Sequence, residues 1–221
     1  MLFALLQNRG QLSFFDLMLM FAAYMALLFV MFPVHELAHA FVADRLGDPT
    51  PRWHGRLRLN PFAHLDMFGA LMLVLVGYGY ARPVPVNPRY FRSPRRDMAL
   101  VAAAGPLSNI LMAALSMLLF RVISYIPMPD QLWNALSIVF VSVFVSVNLG
   151  LAVFNLIPLP PLDGSRILSL VLPDRAVYFM QRYEQPIRFA LLILIFGGAL
   201  DVPLGAAQGL LFTLLTKLFW W

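Results

Sequence analysis

The charged residues of this chain leave very long gaps between them. None lies at positions 17–35, 98–120 or 131–162, which are runs of 19, 23 and 32 residues bounded by Asp16 and Glu36, Asp97 and Arg121, and Asp130 and Asp163. A helix needs about 20 predominantly apolar residues to cross the hydrocarbon core of a bilayer, so each run is long enough for a span. Composition agrees. Of 221 residues, 61% are hydrophobic and 12% charged, where soluble domains carry about 25% charged. A soluble fold of this length has too much surface to bury so apolar a chain in one core. Cysteine is absent, which excludes disulfides, thiolate metal sites and a cysteine nucleophile. The 14% aromatic content and the scarcity of charge exclude a disordered chain.

Orientation follows from the arginines. Nine of the 16 basic residues fall after the first run, at Arg45, Arg52, Arg56, Arg58, Arg82, Arg89, Arg92, Arg95 and Arg96. Four more, Arg166, Arg175, Arg182 and Arg188, follow the third, whereas the loop between the second and third holds Arg121 alone. The positive-inside rule assigns the long connection and the segment beyond 158 to the cytoplasm. The net charge of +5 is therefore a topology signal. The arginines do not gather on one basic domain, so no nucleic-acid partner is expected. Residues 1–6 lack a basic n-region and a small-residue cleavage site, so the first span is expected to anchor the mature protein. Residues 189–200 and 202–216 are shorter charge-free runs split by Asp201. A broken hairpin, one span with an interfacial helix, and two short spans all suit them. Phe219, Trp220 and Trp221 with Lys217 resemble an interfacial anchor.

The long connection carries its own pattern. Leu57 and Leu59 alternate with Arg56 and Arg58, a strand period. Residues 66–81 are apolar, too short to span and contain Gly69, Gly77 and Gly79, which suits a re-entrant hairpin packed against helices. The prolines of 83–88 hold that segment extended. The fold expected is an all-α polytopic membrane protein with a three-helix core. About 4–6 membrane segments are expected in total, with a re-entrant or β-hairpin element between the first and second core helices. No repeat or linker divides the chain, so residues 1–221 are expected to form a single membrane-embedded domain.

At the end of the first run stands His35-Glu36-Leu37-Ala38-His39. On a helix, i and i+4 share a face, so both imidazoles can bind one zinc ion with Glu36 beside it as a base. The chain has only four histidines, and ionisable groups beside a spanning segment are costly and usually functional. A third ligand is needed. The downstream glycine-and-histidine pattern of soluble relatives of this motif is missing, because Val42 and Arg45 occupy those places. His54, His64, Asp66 and Asp163 remain, with Glu184 more simply an ion-pair partner among arginines. Asp163 is the best candidate, because it closes the longest charge-free run; Arg166 is its alternative partner. The first and third spans both run inward and end near His39 and Asp163, while the second starts there with Gly105-Pro106-Leu107-Ser108-Asn109. Three segments thus deliver polar groups to one depth.

Over roughly residues 32–170 the chain resembles the site-2 protease family of intramembrane zinc metalloproteases. The resemblance rests on the His35–His39 motif, the Gly105-Pro106…Asn109 segment and the Asn155…Pro158…Leu162-Asp163-Gly164 motif, in that order. Residues 56–64 and 83–88 look like the compact branch without long soluble insertions. The resemblance implies one Zn2+ per chain held by His35, His39 and Asp163, with Glu36 as general base and acid. It implies cleavage of peptide bonds in transmembrane protein substrates, in the cell membrane, with the active site toward the cytoplasm. It also suggests that Asn109 holds the substrate carbonyl or the oxyanion, and that substrate is presented along a strand edge near 56–60 or 83–88. Asn155 is expected to be structural, and His54 and His64 to pack loops. The competing reading is a non-proteolytic metal-binding membrane protein or transporter. A transporter should show repeats and polar residues in several spans, and the charge-free interiors of 98–120 and 131–162 argue against it.

Overall fold

The computed structural model describes residues 18, 21, 22, 25–76 and 81–219, and these are helical without a strand. Helix α1 spans Leu27–Arg45. Its first turn, Leu27–Met31, is π-helical, and regular α-helix begins at Phe32. Pro33 accounts for the change. It has no N–H for the carbonyl of Phe29, and a widened turn steps over the missing donor. Short helices follow: α2 (Thr50–Trp53), α3 (Pro61–His64) and α4 (Met67–Val76). An extended segment and a 3-10 turn, Pro88–Tyr90, then lead to α5, Pro94–Ile123. Helix α6 runs through residues 130–155 as Asp130–Ser137, the π-helical Ile138–Val145, and Ser146–Asn155. The chain ends in α7 (Asp163–Leu168), α8 (Asp174–Arg182), α9 (Glu184–Phe196) and α10 (Asp201–Phe219).

What positions the site is the packing of α1 on α5. Met31, His35, His39 and Ala43 recur every four residues on α1 and are all buried. Asp97, Val101, Gly105, Asn109, Ala113 and Met117 do the same on α5. Residues at i and i+4 form a ridge, so two such stripes interlock. Ala43, Gly105 and Ala113 keep the ridges low, which lets the backbones approach closely. Leu211, Phe212, Leu215 and Phe219 of α10 pack over Ala113 and Met117 of α5 and Val145 and Leu149 of α6. The other face of α5 exposes Leu107, Leu111, Leu115, Leu118 and Val122, a stripe at helical spacing. Lipid covers such a face at no hydrophobic cost, whereas water does not. Among the described residues three helices, α1, α5 and α10, are long and apolar enough to cross a membrane.

The second charge-free run lies within α5, whereas the first meets α1 only over 27–35, and its positions 17, 19, 20, 23 and 24 lie outside the described residues. The third is helical only to Asn155, after which Pro158, Pro160 and Pro161 cannot continue the helix. Of the C-terminal pair, α10 meets the length and hydropathy of a span and α9, with 13 residues, is shorter. The strand expected at 56–60 is not formed: Arg56 turns inward while Leu59 is exposed, the reverse of an amphipathic strand, and no partner strand lies among the described residues. One antiparallel bridge, Leu65 with Ala81, joins the two ends of the 66–81 segment. Residues 77–80, the N-terminal six residues and Trp220–Trp221 lie outside the described residues.

Candidate metal and catalytic site

Each imidazole of the α1 motif has its outer nitrogen occupied. His39 Nδ1 lies 2.7 Å from the Val101 carbonyl, which can only accept, so this nitrogen carries the proton. For His35 the assignment travels through two amides. Asn148 Nδ2 donates to the Phe144 carbonyl (2.7 Å), which turns Asn148 Oδ1 toward Asn109 Nδ2 (2.8 Å). That in turn points Asn109 Oδ1 at His35 Nδ1 (2.6 Å), which must donate. Both Nε2 atoms therefore present lone pairs to the interior.

Those lone pairs converge. His35 Nε2 and His39 Nε2 are 3.0 Å apart, and Asp163 Oδ2 lies 3.2 and 3.3 Å from them. Asp163 Oδ2 is buried and has no hydrogen-bond partner among the described residues. Three acceptors facing one another repel unless a cation lies among them. Zinc fits: ligand atoms arranged tetrahedrally at its usual bond lengths stand roughly 3.3 Å apart, and two imidazoles with one carboxylate leave the fourth position open. The backbone is shaped for this approach. A Cβ at Gly105 would meet His39 Nε2 at 2.4 Å and His35 Nε2 at 2.5 Å. One at Gly164 would meet the Leu156 carbonyl oxygen at 2.2 Å, so only glycine seats the α7 turn that carries Asp163.

Glu36, next to the first histidine, accepts a hydrogen bond at Oε2 from the Val84 N–H, 3.1 Å away. Val84 belongs to an extended strap, residues 82–87, tied at both ends. Arg82 N–H donates to the His64 carbonyl (2.8 Å), and Asn87 N–H to Asp48 Oδ2 (2.7 Å). Asp48 is fully buried and its other oxygen accepts from Thr50 N–H. Arg56, 4% exposed, donates from Nη1 to the carbonyls of Ala63 (2.6 Å) and Arg82 (3.1 Å), and from Nη2 to that of Pro83 (3.2 Å).

The remaining candidates lie elsewhere. His54 and His64 turn to the carbonyls of Thr50 and Arg58, Asp66 accepts from Gly69 N–H, and Glu184 pairs with Arg188 at 2.9 Å. Asp163 faces the imidazoles, and no ion pair with Arg166 is formed. Asn155 donates to the Leu151 carbonyl of its own helix. Asn109 is fully buried and spends its amide on His35 and Asn148. Asn148 was not legible as a site residue from charge alone; the signal for it is an amide deep in an apolar run. A cleft of about 530 Å3, bordered by Pro83, Pro160, Pro161, Ser165 and Arg166, opens beside the α7 turn.

Comparison with known proteins adds an independent line. Residues 121–198 match the family described as Peptidase family M50. "Putative zinc metalloprotease YwhC" of Bacillus subtilis (strain 168) is 45% identical over 149 residues, covering 66% of this chain and 67% of that one. The chain belongs to the M50, or site-2 protease, family. "Putative zinc metalloprotease Rip2" of Mycobacterium tuberculosis (strain ATCC 25618 / H37Rv) is 32% identical over 142 residues, 62% of this chain and 52% of its own length. "Putative zinc metalloprotease MJ0611" of Methanocaldococcus jannaschii is 30% identical over 141 residues, covering 62% of this chain and 64% of that one. The chain thus spans about half the length of the mycobacterial relative. No solved structure matches. Within this M50 chain, the three apolar helices and the His35, His39, Asp163 group belong to a membrane protein of a peptidase family.

Proposed function

We propose that this M50 protein is a zinc endopeptidase that cleaves peptide bonds of transmembrane substrates within or near the bilayer, on the cytoplasmic side of the cell membrane. The observation that carries the reading is the meeting of three buried ligand atoms 3.0–3.3 Å apart beside a glutamate. His35, His39 and Asp163 would hold one zinc ion. When bound, zinc supplies Lewis acidity that polarises the scissile carbonyl and acidifies the attacking water. Glu36 accepts the proton of that water and returns it to the leaving amine nitrogen, so one carboxylate serves as base and then acid. Asn109 and Asn148 keep the His35 proton on Nδ1, and the Val101 carbonyl does so for His39, so each Nε2 stays a ligand. Asn109 acts by positioning His35; its buried amide makes a direct role on the oxyanion secondary.

The cytoplasmic assignment rests on the arginine-rich connection and C-terminal segment. The segment 66–81, closed by the Leu65–Ala81 bridge, is read as the re-entrant element, and 1–221 as one membrane-embedded domain. The test is Glu36→Gln. It should lower peptidase activity on a membrane substrate by about 10²–10⁴-fold, with zinc retained near one per chain. Membrane proteomes of cells expressing either form should differ by peptides that accumulate only with the variant. Equal cleavage by both forms would end the proposal.

A further inference from the structure

We propose that Arg56 is a positioning residue for Glu36, acting through the peptide bond between Pro83 and Val84. The proposal rests on Glu36 being the general base. That peptide unit is held from both sides: Arg56 Nη2 donates to its carbonyl at 3.2 Å, and its N–H donates to Glu36 Oε2 at 3.1 Å. In a planar trans peptide the C=O and N–H point in opposite directions, so a cation and an anion face the two ends of one dipole. Each charge polarises the unit in the sense that favours the other.

The sequence concentrates this contact on one atom. Pro83 and Pro85 have no N–H, so Val84 carries the only backbone donor between Arg82 and Val86. The flanking prolines also hold the backbone extended, which fixes where that donor points. Arg56 closes the clamp: its guanidinium reaches the carbonyls of Ala63, Arg82 and Pro83, and among the described residues it makes no ion pair. A neutral amide would satisfy carbonyls with far less desolvation than a buried cation. Burial and the nearby Arg82 push the Arg56 pKa below its ordinary value, and the charge of Glu36 acts against them. The cation at this place is thus matched to the carboxylate across the peptide. The strap anchors Oε2 and leaves Oε1 of Glu36 to carry the proton.

The experiment uses the full chain in detergent micelles with a transmembrane-helix peptide bearing a fluorophore and quencher. Val84→Pro deletes the single N–H in a backbone already extended, and Arg56→Gln removes the cation while keeping donors. Each should lower kcat by roughly 10- to 100-fold, the range for losing a hydrogen bond to a charged group, with KM within about twofold and zinc content unchanged. The double variant should be no slower than the slower single variant, because both act on one unit. A second arm needs no turnover: in metal-free protein, Arg56→Gln and Glu36→Ala should each speed hydrogen exchange of the Val84 amide at least about tenfold and leave α5 amides unchanged. Parental kcat in either single variant, multiplicative losses in the double, or unaltered Val84 exchange would overturn the proposal. If the parent and Glu36→Gln cleave the peptide equally, the general-base reading fails instead, and the exchange arm still reports on Arg56.

Discussion

Replacing Gly105 with alanine adds one methyl group at the point where α5 presses on the two imidazoles. The new Cβ would lie 2.4 Å from His39 Nε2 and 2.5 Å from His35 Nε2, whereas ordinary contact begins near 3.4 Å. The shortfall is 1.0 Å at His39 (3.4 − 2.4), about five times the roughly 0.2 Å tolerance of a metal–ligand distance. Without metal the rings can rotate away, and alanine favours a helix interior by about 1 kcal/mol over glycine. Zinc binding must then force them back against the methyl, at the overpacking cost of about 1–3 kcal/mol. Zinc affinity should fall by roughly 5- to 150-fold, while the melting temperature of metal-free protein stays level or rises. Competition against a chromophoric chelator measures the first and scanning calorimetry in detergent the second. Gly209→Ala is the control, since a Cβ there meets nothing within 4 Å. Parental zinc affinity in Gly105→Ala would refute the packing argument, because the methyl cannot coexist with the ligand geometry described.

Other substitutions probe the same framework. Asn148→Leu leaves the buried Asn109 Nδ2 without its acceptor, so stability should fall by about 1–3 kcal/mol and zinc affinity by about tenfold, measured by denaturant titration and chelator competition. Gly164→Ala drives a Cβ to 2.2 Å from the Leu156 backbone oxygen, which cannot rotate aside; zinc content of the purified protein should drop below half of parental. Arg188→Ala removes an exposed i,i+4 pair with Glu184, so stability in denaturant titration should change by less than about 0.5 kcal/mol.

Much of the helical plan was legible because the bilayer permits few solutions. Backbone groups in hydrocarbon must be satisfied within the segment, so a long charge-free run has helix as its main option. This is why 98–120 lies within α5 and why the end of 17–35 enters α1. Reading failed where the chain leaves that regime. At 56–60 a period of two suggested a strand, but Arg56 is held by three carbonyls from distant residues, and that long-range contact outweighs local alternation. The zinc motif was legible because its two ligands need only the spacing of one helix. Asp163 was reached as the charge that ends an apolar run, an argument about cost that left both a metal and Arg166 open as its partner.

Hydrophobic periodicity and the scarcity of charge were enough, without coordinates, to specify a helical membrane protein with a histidine pair one turn apart. The protonation of those histidines lies beyond them. The lone pairs turn inward because carbonyls of Val101 and Phe144, on two other helices, orient the hydrogen bonds around them. The same holds for Glu36, whose carboxylate meets an N–H 48 residues away. Periodicity reports which face of a helix is buried; only packing between helices decides what that face touches, and the chemistry of the site is made of those contacts.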